Sequence, residues 1–157
     1  MDMKEKPIKS NSYYEGLIQN LYGGAEGCFS AFMHFFYQHN QCEVFYPEYS
    51  CCFEKIYQLE LENCEFLSKV LLRMAGDNKY YSSSKKFLSG YNIDYVKNLD
   101  KIFLLDIEFL ELNVIEIKNL ICKIDDLEIK KMLKKVLENK KNSLKIVKEN
   151  YLQFHEN

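Results

Sequence analysis

Two helical stripes that ought to be apolar each carry a charge at the centre. In the middle of the chain, Phe53, Ile56, Glu60, Asn63, Leu67, Val70 and Met74 recur at spacings of three and four, the period that puts residues on one face of a helix. Toward the C-terminus, Leu133, Val136, Lys140, Leu144 and Val147 make a second stripe with a lysine at its centre. Buried charge is expensive unless something compensates it, so a fold for this chain has to bring a partner to both Glu60 and Lys140. The expectation is an internal Glu60–Lys140 ion pair assisted by Asn63 and Ser143. In the competing arrangement Lys140 snorkels outward and Glu60 stays wet.

Composition sets the frame for those stripes. A chain of 157 residues, 47% of them hydrophobic, fits one domain with a real core. Charged residues make up 28% and nearly cancel, leaving a net charge of -2. No field of one sign results, which disfavours nucleic acid and anionic membranes as partners. Lys130, Lys131, Lys134 and Lys135 lie beside Glu128 and Glu138 and read as a solvated helical face. No apolar run approaches the roughly 20 residues of a membrane span. The first residues are polar with no apolar signal region after them, so a cytoplasmic location is the default expectation. Of the six cysteines, Cys28, Cys64 and Cys122 fall within helical patterns, as small buried thiols do in a reducing compartment. Cys42, Cys51 and Cys52 could cross-link chains under oxidising conditions. No C-x-x-C pair is present, which removes zinc knuckles and thioredoxin-type motifs.

The order of elements is readable from periodicity and punctuation. Residues 1–11 are expected to be a flexible N-terminal segment, residues 12–152 a single bundle and residues 153–157 a tail. Residues 12–39 read as one long helix, with Leu17, Leu21, Gly24, Cys28, Ala31 and Phe35 at helical spacing and Ser12 as its cap with Glu15 three residues on. A short connection, residues 40–46, leads to a helix over residues 47–75 with Pro47 in its first turn and Gly76 as its stop. Residues 77–92 are the one long loop, rich in serine, glycine and asparagine. A third helix spans residues 94–124 with the stripe Phe103, Ile107, Leu110, Val114, Ile117, Ile121 and Ile124. Asp125 and Glu128 form a capping box for a fourth helix over residues 125–152. Short links make each pair an antiparallel hairpin, and the long loop can cross the bundle. The expected fold is all-α: a four-helix bundle of two hairpins with one long crossover, the ferritin-like arrangement.

The residues themselves carry a resemblance. Leu21-Tyr22-Gly23-Gly24-Ala25-Glu26-Gly27 followed by Ala31 and Tyr37-Gln38-His39, Glu54-Lys55-Ile56 with Glu60, Met74 to Tyr80, Leu104-Leu105-Asp106-Ile107 and Ile124-Asp125-Asp126 resemble landmarks of bacterial ferritin-like proteins. The branch is that of rubrerythrin-like proteins and their relatives near manganese catalases and spore-coat proteins. That resemblance implies a dimetal centre of iron or manganese, held by a Glu from one helix of each hairpin and a Glu-x-x-His turn from the other. Aligned by those landmarks, this chain has Cys28 at the first Glu position and keeps Glu60. Asn63 stands at the first histidine position, Leu110 at the third helix's Glu with Glu111 one residue off, and Lys140 and Ser143 at the last Glu and His. The three histidines, His34, His39 and His155, are preceded at three residues by Ala31, Phe36 and Leu152, so no Glu-x-x-His turn exists in any register. The resemblance also implies a homo-oligomer, with a dimer the commonest form, and admits a spore-associated location.

Three functions compete on these residues. The first is a non-catalytic structural, binding or assembly module with no cofactor and a protein partner unknown. Its contact surface would include Tyr80, Tyr81, Tyr91 and Tyr95, which could instead pack over the bundle end. The second is a metal-dependent oxidoreductase with a rebuilt iron or manganese site, for which Glu60, Cys28 and Glu111 are the weak candidates, with Asn63, Glu62 and Cys64 nearby. Cys28 could otherwise be a redox-sensitive thiol made acidic by Lys140, or a small core residue. A small-molecule pocket in the vacated cavity is the third.

Overall fold

Glycines, caps and apolar stripes divide the described residues into five α-helices. The computed structural model describes residues 12–74 and 76–156, so expectations for residues 1–11, Ala75 and Asn157 lie outside the described residues. The helices are α1 (Ser12–Gly23), α2 (Cys28–Phe45), α3 (Ser50–Arg73), α4 (Leu99–Lys123) and α5 (Leu127–Glu156), with one 3-10 turn at Gly90–Asn92. Among the described residues there is no strand, only an isolated bridge between Tyr81 and Phe87. No helix among them is long and apolar enough to cross a membrane.

The single long first helix expected over residues 12–39 is two helices. After Gly23 the chain tightens, with the Gly24 amide donating to the Asn20 carbonyl at 3.0 Å and the Gly27 amide to the Gly24 carbonyl at 2.9 Å. A Cβ on Gly27 would sit 2.8 Å from the carbonyl oxygens of both Asn20 and Leu21, so the break needs a residue without a side chain there. The helical pattern then runs on to Phe45, beyond the connection expected at 40–46. The turn is residues 46–49, where the Tyr49 amide reaches the Tyr46 carbonyl at 2.9 Å. Pro47 therefore precedes α3, which starts at Ser50. At its far end the Gly76 amide donates to the Leu71 carbonyl at 2.8 Å, closing the last turn.

Caps also correct the second half. Asn98 Oδ1 accepts the Lys101 amide at 3.1 Å, so α4 begins at Leu99 and not at residue 94. Asp126 caps α5: its Oδ1 accepts the amides of Glu128 at 2.9 Å and Ile129 at 3.0 Å, the role expected of Asp125. Residues 153–156, expected as a tail, are the end of α5. They remain helical because Phe154 packs on Phe103 and Tyr49, each with ring centroids 5.8 Å apart.

Helix α2 packs on α3, α4 on α5 and α3 on α5, while α1 lies against α2 and α3. Helix α1 also holds the long connection after α3. Gln19 Nε2 donates to the carbonyls of Lys79 at 3.1 Å and Tyr81 at 2.8 Å, and the Tyr22 hydroxyl to that of Asn78 at 3.0 Å. The core has two apolar halves. One contains Cys28, Leu67, Val70, Ile117 and Leu133; the other contains Phe35, Phe53, Ile56, Phe103 and Leu110. Buried polar side chains lie along the seam between them: Glu60 and Asn63 on α3, Asn113 on α4, and Lys140 and Ser143 on α5.

Candidate functional site

Helical spacing brings Glu60 and Lys140 to the same level of the seam from facing helices. Lys140 Nζ hydrogen-bonds Glu60 Oε2 at 2.9 Å and lies 2.8 Å from Oε1 in an ion-pair contact, with both side chains 0% exposed. Burial pushes the ammonium down most strongly, but the charge and hydrogen bond of Glu60, joined by Cys28 and Cys64, together outweigh it and Lys140 ends above its ordinary value. Asn63 Nδ2 donates to Glu60 Oε2 at 3.3 Å, and Asn139 Nδ2 donates to Asn63 Oδ1 at 2.8 Å. The Lys140 ammonium also stands 5.7 Å from the centroid of the Phe109 ring, a cation–π distance. Ser143 is buried at this level, but its hydroxyl has no hydrogen-bond partner among the described residues, so the assistance expected of it is not made.

The other positions fall into two groups. Cys28 and Leu110 are fully buried. The Cys28 thiol is pushed up to about 12 by burial, against the pull of Lys140 the other way. Of the two alternatives for Cys28, this favours the small core residue over the acidic, redox-sensitive thiol, because desolvation outweighs the nearby ammonium. Burial also raises the Cys64 thiol. Glu111 points outward and pairs with Lys148 at 2.9 Å, and Glu62 is exposed, because a one-residue step on a helix turns a side chain about 100°. Neither belongs to the seam. Cys122, expected among the buried thiols, is exposed. A cation does not suit these residues: one carboxylate is present, it is already neutralised by an ammonium, and Leu110 offers no donor. Among the described residues no three His, Cys, Asp or Glu side chains group in a way that could hold a metal ion.

A second buried polar cluster was not anticipated. His34 Nε2 lies 2.8 Å from Asp106 Oδ1, and Gln38 Nε2 donates to the same oxygen at 2.8 Å while lying 2.8 Å from His34 Nε2. Asp106 and Gln38 are fully buried. Burial raises the Asp106 carboxyl, and His34 and Gln38 draw it back only in part. Two signals were available in the sequence. Ser30, His34 and Gln38 repeat at four residues beside Ala31 and Phe35, and Asp106 falls midway between Ile102 and Leu110 on an inward stripe.

His34 also belongs to the floor of a cleft of about 310 Å³ between α2 and α4. Helix α2 contributes Ser30 and His34, the turn before it Ala25 and Glu26, and α4 Leu105, Glu108, Phe109 and Leu112. Asn92 and Asp94 close it from the connection before α4. Of the loop tyrosines, Tyr80 stacks on Phe29 with ring centroids 4.3 Å apart and Tyr95 meets Tyr37 edge-on at 4.9 Å. Tyr91 is 92% exposed. No protein-family model, curated protein or solved structure matches this chain.

Proposed function

We propose that the protein is a ferritin-like bundle in which an internal ion pair stands in place of the dimetal centre, and that it works by binding and not by redox chemistry. The observation that carries the reading is the Lys140 ammonium, fully buried and 2.8 Å from the Glu60 carboxylate. A fixed cation there repels any metal ion that would use the same carboxylate, and it neutralises the charge two metals would otherwise balance.

The ferritin-like part of the proposal draws support from how the helices pass the two halves of the core. Helix α3 enters the Phe53 half and leaves through the Leu67 half, and α4 runs the same way from Ile102 to Ile117. Helices α2 and α5 run oppositely, from Cys28 to Phe35 and from Leu133 to Val147. Two antiparallel hairpins joined by a crossover along the bundle have this order. The positions aligned with family ligands, Cys28, Glu60, Asn63, Leu110, Lys140 and Ser143, are all buried.

Metal analysis of protein purified without chelators tests the reading. Negligible iron and manganese, with no peroxidase or ferroxidase activity, is expected. About two such ions per chain would overturn it. The family resemblance adds a homodimer to the proposal, read by sedimentation.

A further inference from the structure

Residues 27–42, which make up most of α2, contain no aspartate, glutamate, lysine or arginine, although one side of the helix is open to solvent. A solvated helical face ordinarily carries charges. In their place a ladder of rings runs along the outer side of the α2–α3 hairpin. Tyr80 stacks on Phe29 with centroids 4.3 Å apart, Phe29 meets Phe32 at 6.1 Å, and Phe32 meets Phe36 at 6.0 Å. From α3, Tyr57 stands edge-on to Phe32 at 6.0 Å and to Phe36 at 5.4 Å. Tyr80 is 52% exposed, Phe36 46%, and Leu61, one helical turn beyond Tyr57, 39%. An aromatic side chain covers about 150–250 Å² when buried, so Phe36 and Tyr80 each leave about 100 Å² in solvent. With Leu61 and the open edges of the other rings, the apolar strip comes to roughly 400 Å². A standard interface takes about 800 Å² from each partner, a little over half of it apolar, with aromatic residues gathered and charges depleted at its core. The strip matches that core in both size and chemistry.

The two ends of the strip differ in sign. Residues 79–86, at the Tyr80 end, hold Lys79, Lys85 and Lys86 and no carboxylate. Residues 43–54, at the Phe36 end, hold Glu43, Glu48 and Glu54 and no lysine or arginine. Asp77, paired with Lys79 at 3.3 Å, and Glu65 still leave the first end net positive, and Lys55 leaves the second net negative. We infer that this strip is the face on which a second copy of the chain docks about a two-fold axis, the two α2 helices running antiparallel. A two-fold axis brings like residues together at its centre, where a charge would oppose itself, and α2 has none there. The same operation carries each basic end to the acidic end of the other copy, so the strip is complementary to itself. The inference rests on the homodimer of the preceding reading, to which it gives a face, and not on the metal-free centre.

Sedimentation equilibrium of the full chain tests the inference. A concentration-dependent dimer is expected. Phe36→Lys and Leu61→Lys each set an ammonium within the strip and should raise the dimer Kd at least about tenfold, the loss of one interface anchor. Leu127→Lys, at an exposed leucine of α5 outside the strip, should leave the Kd unchanged. Glu43→Lys and Lys79→Glu should each weaken the dimer, and the double variant should recover part of the loss. All five positions are exposed, so the variants should fold, and circular dichroism checks that they do. A wild type that stays monomeric at every concentration overturns the inference and leaves the strip to a different protein. A dimer that Phe36→Lys and Leu61→Lys leave intact, or that Leu127→Lys weakens equally, overturns the face while the homodimer stands. Additive losses in the charge pair overturn the antiparallel arrangement. Metal content reports separately on the lost centre, so either reading can fail while the other stands.

Discussion

At the scale of single residues, the centre of the molecule depends on Lys140 and Glu60 being present together. Removing one leaves a charge buried with no counter-charge, which costs about 3–5 kcal/mol, whereas replacing both with apolar groups of similar volume is often nearly neutral. Glu60→Gln and Lys140→Met should therefore each lower the unfolding free energy by that amount, and the double variant should recover most of it. Urea melts of the four proteins give the coupling directly, and additive effects would count against it. Asp106 makes a different prediction. Burial raises its carboxyl, so the native state holds that proton more tightly than the unfolded chain does. Its contribution to folding is then fully present below the ordinary carboxylate value, and it is lost as pH rises through the raised one. Asp106→Asn cannot titrate. The wild-type unfolding free energy minus that of Asp106→Asn should fall as pH climbs across this window, measured by melts at successive pH values.

At the scale of elements, punctuation decides where each helix starts and how the connection is held. Two neighbouring aspartates separate two cap assignments. Asp126 accepts two amides of the first turn of α5, so Asp126→Ala should cost about 1 kcal/mol. Asp125→Ala should stay within about 0.5 kcal/mol, since no cap bond is made by its side chain. Thermal melts distinguish them. Gly23 marks the closest approach of α1 to the connection: a Cβ there would lie 2.5 Å from the Tyr81 carbonyl oxygen and 2.7 Å from its nitrogen. Gly23→Ala should destabilise the fold by about 1–3 kcal/mol and speed proteolysis within residues 77–90. These elements also show what the sequence could convey. The stripes through Phe53–Met74 and Leu133–Val147 announced inward faces with Glu60 and Lys140 at their centres, because helical period is a local property. The break at Gly24–Gly27 was hidden, since Leu21, Gly24, Cys28 and Ala31 keep their spacing across it and the reason for the break lies in backbone contacts. His34 and Asp106 were hidden because their partnership joins α2 to α4 across 72 residues, and each alone looks like an ordinary polar residue on a helix.

At the scale of the whole molecule, a layer of polar side chains divides two apolar halves, and its charge is balanced by the chain itself. A bundle built around bound metal draws part of its stability from that metal, by RT ln(1 + [L]/Kd), or about 2.7 kcal/mol when the free ion is at a hundred times Kd. Chelation removes that contribution. Here the balancing cation is covalently part of α5, and the carboxylate it meets has no second partner of its kind at that level. The melting temperature should therefore be the same with and without a strong chelator, and added iron(II) or manganese(II) should not raise it. In Lys140→Met the situation changes: Glu60 keeps its carboxylate, Asn63 stays beside it, and the fixed ammonium is gone. That variant should become the less stable protein without gaining a metal-dependent rise in melting temperature, because one carboxylate, one amide and a thiol held protonated by burial are too poor a donor set for a divalent ion. Calorimetric scans of wild type and Lys140→Met, each with chelator, iron(II) and manganese(II), read this out. A rise with either metal in the wild type would mean that the ammonium yields its place, and the internal pair would then be a gate and not a replacement.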